Sequence, residues 1–264
     1  MKEIEGESVL ILGYGREGAS VHKYIKEKFP DIKVGIADQN EVTPAVEGPV
    51  IMHVGKDYLK SLSSYDVIIR SPGIPLATPE IQKSVEEGNK ITSETNIFFS
   101  DCLGLIIGVT GTKGKSTTST LISTVLESTH PDVRLVGNIG NPSLDYLTDS
   151  DNKTVFVAEL SSHQLEDLRY SPHIAVLLGI VPEHLSYHGS FSSYVDAKGN
   201  IVKHQSEEDI VVFDPVNSVT EELAEKSKGQ KFRFSSIQAK NVSCYMDGSD
   251  IFVNGEFVMS VKDI

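Results

Sequence analysis

Apolar and polar positions along this chain fall into short buried-type runs and longer amphipathic ones. Ser8 to Leu12, Lys33 to Ala37, Val67 to Arg70, Ile91 to Ser93, Leu103 to Val109, Thr154 to Ala158, Ile174 to Ile180 and Ile210 to Phe213 are short and apolar, and they predict strands. Between them, Ala19 to Lys28, Thr78 to Glu87, Glu94 to Phe99, Ser119 to Glu127, Ser193 to Val202 and Val219 to Lys228 read as helices. The cluster Val136-Gly137-Asn138-Ile139-Gly140-Asn141-Pro142 predicts a turn. From Val242 the pattern changes to alternation: Val242, Cys244, Met246, then Ile251 and Val253, then Phe257, Met259 and Val261. Asp247-Gly248 and Asn254-Gly255 interrupt it, so small antiparallel hairpins are expected.

Candidate chemistry gathers where strands end. Gly108-Val109-Thr110-Gly111-Thr112-Lys113-Gly114-Lys115-Ser116-Thr117-Thr118 joins a strand to a helix and reads as a phosphate-binding loop. Its glycines let backbone N–H groups turn onto phosphate, Lys115 can reach the β- and γ-phosphates, and the Ser116 hydroxyl suits Mg²⁺. Gly111, Thr112, Lys113, Gly114, Lys115, Ser116 and Thr117 are therefore the expected ATP-binding residues, although Val109 stands where the general loop pattern has glycine. Nearer the start, Gly13-Tyr14-Gly15-Arg16-Glu17-Gly18 also links strand to helix, and Asp38 follows about twenty residues later as a candidate ribose ligand. A dinucleotide such as NAD and the diphosphate of a UDP-sugar both fit that pattern.

Other positions stay open on sequence alone. Ser71-Pro72-Gly73-Ile74-Pro75 is a stiff turn at a strand's carboxyl end, either a connector or a ligand wall. Asn138 reads first as a left-handed turn former and second as a hydrogen-bonding site residue. Glu159, at a strand tip, suits Mg²⁺, whereas His184, His188 and Lys198 taken singly read as ordinary loop and helix residues.

Composition narrows the partners. A net charge of −13 over 264 residues, without Lys/Arg clusters, argues against nucleic acid. No apolar run approaches a membrane helix, and Met1-Lys2-Glu3-Ile4-Glu5 lacks signal-peptide character, so a cytoplasmic protein, expected to be a monomer, is the reading. Cys102 and Cys244 are expected to be reduced packing residues.

These motifs together resemble the Mur ligases, ATP-dependent amide-bond-forming enzymes of peptidoglycan precursor synthesis. Thr110 to Thr117 is similar to their nucleotide loop, with Lys113 where Asn is common. Pro182-Glu183-His184-Leu185, His188-Gly189-Ser190 and Tyr194-x-x-Ala197-Lys198 resemble D-H-L, H-G-[ST] and Y-x-x-A-K, with Glu183 for Asp. Glu159-Leu160-Ser161-Ser162-His163-Gln164-Leu165-Glu166 is similar to the E-L-S-S-F-Q-L-E of the D-glutamate-adding branch, with His163 for Phe.

The resemblance implies a fold, α/β, with a Rossmann-like UDP-sugar domain over 1–99 and a P-loop NTPase-like ATP domain over 100–264 ending in hairpins. It implies ATP and Mg²⁺ as cofactors, with Ser116, Glu159, His184 and a carbamylated Lys198 as metal residues and Lys115, His184 and Lys198 as catalytic ones. UDP-N-acetylmuramoyl-L-alanine would lie on Gly13 to Gly18, Asp38, Ser71, Pro72, Gly73 and Asn138, and D-glutamate would be the second substrate. Family members continue into a third, amino-acid-binding domain, so the chain reads as the first two of three. Another branch of the family, a non-catalytic nucleotide-binding module and an NAD-binding protein are the alternatives.

Overall fold

The computed structural model describes residues 3–4, 8–42, 48–237 and 241–263; the opening residues Met1, Lys2 and Glu5 and the last one, Ile264, lie outside that set. Two sheets organise it. The first has β1 (Ser8–Leu12), β2 (Lys33–Asp38), β3 (Val50–Val54), β4 (Val67–Arg70) and β5 (Lys90–Ser93) in the parallel order β3-β2-β1-β4-β5. Helices α1 (Arg16–Lys28), α2 (Pro79–Glu86) and α3 (Glu94–Asp101) accompany it. Strand order reverses at β1, so the turns leaving β1 and β4 face one another, with Ser71 N donating to Leu12 O at 2.8 Å, while on the β2 side Gly13 N donates to Ala37 O at 2.8 Å. Such a switch point opens a crevice at the carboxyl edge of the strands.

The second sheet comprises β6 (Leu105–Thr110), β7 (Val133–Gly137), β8 (Val155–Glu159), β9 (Ile174–Leu177), β10 (Ile210–Phe213), β11 (Gln230–Ser235), β12 (Cys244–Asp247), β13 (Asp250–Val253) and β14 (Glu256–Ser260). Its nine strands run β14-β13-β12-β11-β10-β9-β6-β8-β7, parallel from β7 to β12 and antiparallel through the two hairpins. Helices α4 (Lys115–Glu127), α5 (Ser162–Leu165), α6 (Leu185–His188), α7 (Phe191–Lys203) and α8 (Ser218–Lys226) connect them. The expected α/β class is therefore observed. Here β6 is the switch strand, flanked by β8 and β9, and the glycine loop of residues 111–114 leaves its carboxyl end.

Several elements extend or shorten the expected ones. Helices α1 and α4 begin at Arg16 and Lys115 rather than at Ala19 and Ser119, because glycines cap them and their polar first turns hide the apolar period. Strand β7 was not foreseen and takes in Val136 and Gly137, which the sequence assigned to a turn, while β9 stops at Leu177, short of Ile180. Edge strand β3 carries exposed Ile51, Met52 and Val54 and was not foreseen. Neither was β11, although it is what the hairpins attach to: Phe234 pairs with Cys244 in parallel, so β12 to β14 lengthen the sheet. Cys102 and Cys244 are free thiols, as expected.

One hydrophobic core joins the sheets through α3. Ile11, Ile69, Phe98, Phe156, Leu160 and Leu177 belong to the same buried cluster, and Phe98 meets Phe156 edge-on at 5.1 Å. Polar bonds surround that contact: Ser20 Oγ donates to Asp145 Oδ1 (2.7 Å), Asn96 Nδ2 to Asp167 O (3.0 Å), and Leu144 N to Glu94 Oε1 (2.9 Å). Among the described residues no helix is long and apolar enough to cross a membrane.

Glu94 is buried, and burial followed by the nearby Glu17 charge pushes its carboxyl up to about 8 from 4.5. The folded protein then binds a proton that the unfolded chain has released, so this residue's contribution to stability falls as pH rises from about 4.5 towards 8. Glu94→Gln keeps the acceptor for Leu144 N and removes the ionisation. Its melting midpoint, followed by circular dichroism, should vary less between pH 5 and 8 than the parent's and exceed it at pH 8.

Candidate active site

Thr112 fixes the phosphate loop to the end of the neighbouring strand. Its N–H donates to Gly179 O at 2.9 Å, its hydroxyl bonds Val181 O at 3.0 Å and accepts from Val181 N at 3.0 Å, and it lies 3.0 Å from the Tyr194 hydroxyl. Gly111 allows that closeness, since a Cβ there would stand 2.6 Å from Leu178 Cβ. Gly114 caps α4 at φ +84 with no side-chain cap bond, so the first-turn N–H groups stay available, with Ser116 and Thr117 exposed beside them. Lys115 folds back over the loop, donating to Gly111 O (3.2 Å) and Thr112 O (3.1 Å). Lys113 reaches across to Glu183, Nζ to Oε1 at 2.8 Å. The two departures from the family pattern at these positions thus meet each other.

Opposite the loop stand a carboxylate, an amine and an imidazole. Glu159, 1 % exposed at the tip of β8, accepts a bond from Asn138 Nδ2 at 2.8 Å, while its other oxygen, Oε2, is buried without a hydrogen-bond partner. Gly137 is needed beside it: a Cβ there would come 2.3 Å from Glu159 O, and its φ is +97. Lys198, on α7, is equally buried and donates to Thr110 Oγ1 (3.1 Å) and Gly111 O (2.9 Å). Burial, then the Lys115 charge, pulls this amine down to about 7. His184 holds a left-handed backbone at φ +54, uncommon for a residue with a side chain, and its ring lies 5.0 Å from that of His163. His163 is pressed down to about 4 by burial and then by His184 and His188, so it is a neutral ring at physiological pH.

Lys115, Asn138, His163, Glu183, His184 and Lys198 line one cavity of about 240 Å³. A larger cavity of about 560 Å³ runs along α7 and α8 past Asp196, Asn200, Lys203 and Lys226, but no glycine loop opens into it. Among the described residues no three His, Cys, Asp or Glu side chains are grouped to hold a metal unaided. The single orphaned oxygen of Glu159, with exposed Ser116 and His184 nearby in the fold, fits a metal that takes its remaining ligands from phosphate and water.

The residues expected for a second ligand gather at the first sheet's switch point. A Cβ on Gly13 would meet Ser71 Cβ at 2.7 Å, and one on Gly18 would meet Gly13 O at 2.4 Å, while Gly15 caps α1 without a side-chain bond. Asp38 uses both oxygens on backbone, accepting from Tyr14 N and Asn40 N at 2.8 Å each, so it holds the glycine turn in shape. Arg16 donates to Gly140 O (3.2 Å) and Glu17 accepts from Gln164 Nε2 (2.9 Å), which ties this turn to the second sheet. Pro72 O receives the Tyr187 hydroxyl at 2.9 Å, and Gly73 lies in the same turn. Asn138, expected beside the sugar, is bonded to Glu159 and lines the cavity with Lys115 and Lys198.

Sequence reasoning passed over Arg70, Glu166 and Asp167. Arg70, 1 % exposed, ends β4 and pairs with Asp167 (3.1 Å) and Glu166 (3.3 Å). An arginine closing an otherwise apolar central strand was the available signal.

Residues 109–262 match the Mur ligase middle domain, and residues 7–93 match the Mur ligase MurD-like N-terminal domain. The chain belongs to the Mur ligase family. Among the relatives of this Mur ligase chain, a UDP-N-acetylmuramoylalanine-D-glutamate ligase of Acetivibrio thermocellus is 37% identical over 239 residues, 89% of this chain and 51% of that protein. One of Streptococcus agalactiae is 32% identical over 98% of this chain and 59% of that protein. The chain thus spans between half and three-fifths of the length of these relatives. In fold it is similar to a UDP-N-acetylmuramate:L-alanyl-gamma-D-glutamyl-meso-diaminopimelate ligase from Neisseria meningitides, with TM-score 0.61 at 14% identity, over 98% of this chain and 90% of that one. It is similar too to the MurF ligase from Thermotoga maritima in complex with ADP, with TM-score 0.50 at 16% identity, over 97% of this chain and 55% of that one.

Gly111→Ala drives a methyl into Leu178 and should cost about 1–3 kcal/mol, the range for overpacking. Thermal unfolding followed by fluorescence of an added dye should show a midpoint several degrees below the parent's, whereas Gly15→Ala, with nothing within 4 Å of the added carbon, should stay within about one degree.

Proposed function

We propose that this chain is the UDP-sugar domain, residues 1–99, and the ATP domain, residues 100–264, of a cytoplasmic ligase that joins D-glutamate to UDP-N-acetylmuramoyl-L-alanine through an acyl phosphate. The observation that carries the reading is the convergence of an uncapped, glycine-led helix start, Lys115, the Glu159–Asn138 pair, His184 and Lys198 around one cavity. The names of the relatives, and the ADP in the Thermotoga maritima structure, agree with it.

In this reading Gly111 to Thr117 cradle the phosphates of ATP, and Lys115 exchanges its two loop carbonyls for the β- and γ-phosphates. Ser116, Glu159 and His184 hold Mg²⁺, which when bound offsets charge on the transferring phosphoryl group. Lys198 is poised for carbamylation: with its pKa near 7, a large fraction is neutral amine, which adds CO₂ and releases a proton to leave an anion. That exchange turns a buried cation, which opposes a metal ion, into a group that helps to order one. The substrate's terminal carboxylate takes the γ-phosphoryl group; the D-glutamate amine then attacks the acyl carbon and phosphate leaves. At the other end, Gly13 to Gly18 and Ser71 to Gly73 hold the UDP moiety, with Asp38 shaping the glycine turn, and this remote binding positions the reacting carboxylate.

Calorimetric titration with UDP-N-acetylmuramoyl-L-alanine should give saturable binding, with NADH failing to compete; binding of NADH alone would overturn the reading. Lys115→Ala should weaken ATP·Mg²⁺ by roughly 10- to 100-fold, the worth of charged hydrogen bonds to phosphate, and leave the UDP-sugar affinity within about twofold. Loss of both would contradict the division of labour between the two domains.

A further inference from the structure

Tyr187 stands between the two proposed ligand sites with one proton and two acceptors. Its hydroxyl lies 2.9 Å from the Pro72 carbonyl of the first sheet's turn and 2.9 Å from Glu166 Oε2 of the second. Arg70 Nη1, which can only donate, approaches the same oxygen at 3.2 Å. A phenol carries a single hydrogen, so at any moment it serves Pro72 or Glu166, not both. Burial, opposed by Arg70 and reinforced by Glu166, holds this phenol above its ordinary value, which keeps the hydrogen in place.

The surroundings leave room for either arrangement. Arg70 is anchored by Ile74 O at 2.6 Å and by Asp167 at 3.1 Å, yet its Nε and Asp167 Oδ2 are buried without hydrogen-bond partners. The junction can therefore re-pair without drawing new charges out of water. On its other side the Tyr187 ring packs 4.1 Å from His163 and 4.8 Å from His188, and His163 packs against His184. A continuous wall of rings runs from the Ser71-Pro72-Gly73 turn to the nucleotide cavity.

We propose that Tyr187 is a positioning residue that couples the two sites: a nucleoside-diphosphate sugar engaging the Ser71-Pro72-Gly73 turn transfers the hydroxyl's hydrogen bond from Pro72 to Glu166, and this fixes the histidine wall that a nucleoside triphosphate then meets. The inference rests on the ligand assignment above. Fixing one arrangement ahead of the second ligand spares that ligand the ordering, so the coupling is favourable, and by linkage it is reciprocal.

The test measures affinity for a non-hydrolysable ATP analogue with Mg²⁺, by calorimetry, with and without saturating UDP-N-acetylmuramoyl-L-alanine. In the parent the sugar nucleotide should tighten the analogue by about fivefold or more. Tyr187→Phe keeps the ring stack and removes the shared hydrogen, so the ratio should fall to about one while each ligand alone binds within about twofold of the parent. An undiminished ratio in Tyr187→Phe, or a ratio of one in the parent, overturns the proposal, and so does loss of the sugar nucleotide alone, which would make Tyr187 a direct contact. Glu166→Gln keeps an oxygen for Leu76 N, removes the charge that faces Arg70 and weakens the competing acceptor, so it should lower the ratio too, and an undiminished ratio there overturns the proposal even if Tyr187→Phe does not fold. Failure of either ligand to bind the parent at all would instead overturn the ligand assignment.

Discussion

The geometry between the two sheets depends on one buried cation. Arg70 ends a central strand of the first sheet and, among the described residues, is answered by Asp167, Glu166, Tyr187 and the His163 carbonyl from the second and by the carbonyl of Ile74 in its own turn. Removing one partner of such a pair strands a charge in the interior and costs about 3–5 kcal/mol, while an apolar replacement for the whole set is often no worse. The pair is thus best understood as a register device. It sets where the Ser71-Pro72-Gly73 turn stands relative to the segment carrying His184 and His188, and the Phe98–Phe156 contact supplies the apolar adhesion around it.

Charge is distributed with the same economy. A chain of net charge −13 places Lys113, Lys115 and Lys198 at or beside one small cavity, each balanced differently. Lys113 is exposed and paired with Glu183, an ion pair that solvent screens. Lys115 is half-buried and rests on the carbonyls of Gly111 and Thr112. Lys198 lacks an anionic partner within bonding distance among the described residues, and burial, then the Lys115 charge, holds its pKa down. Three lysines close in space therefore differ in burial and in the groups that answer their charge.

Much of this was legible in the chain. Glycine loops between strand and helix, the turn at Ser71 and the D-G and N-G hairpins announce themselves because they are local: backbone conformation and close approach demand particular residues at fixed spacing. Strands β3, β7 and β11 were not legible, since an edge strand or one with polar alternation carries no distinctive period. The helix starts were hidden for a related reason, because a polar first turn behind a glycine cap has no apolar stripe.

The sequence by itself determined the class, the two switch-point loops and the inventory of chemical groups, since each of these is written in contiguous residues. Only the tertiary structure decided how the groups are used. Asp38 turned out to brace the glycine turn, Asn138 to orient Glu159, and Lys113 to answer Glu183 seventy positions away. Arg70, Tyr187 and Glu166 acquired their part solely by meeting across the junction. Whether a polar side chain is a ligand, a brace or a bridge depends on which partners the packed chain brings within about 3 Å, and no local pattern records that distance.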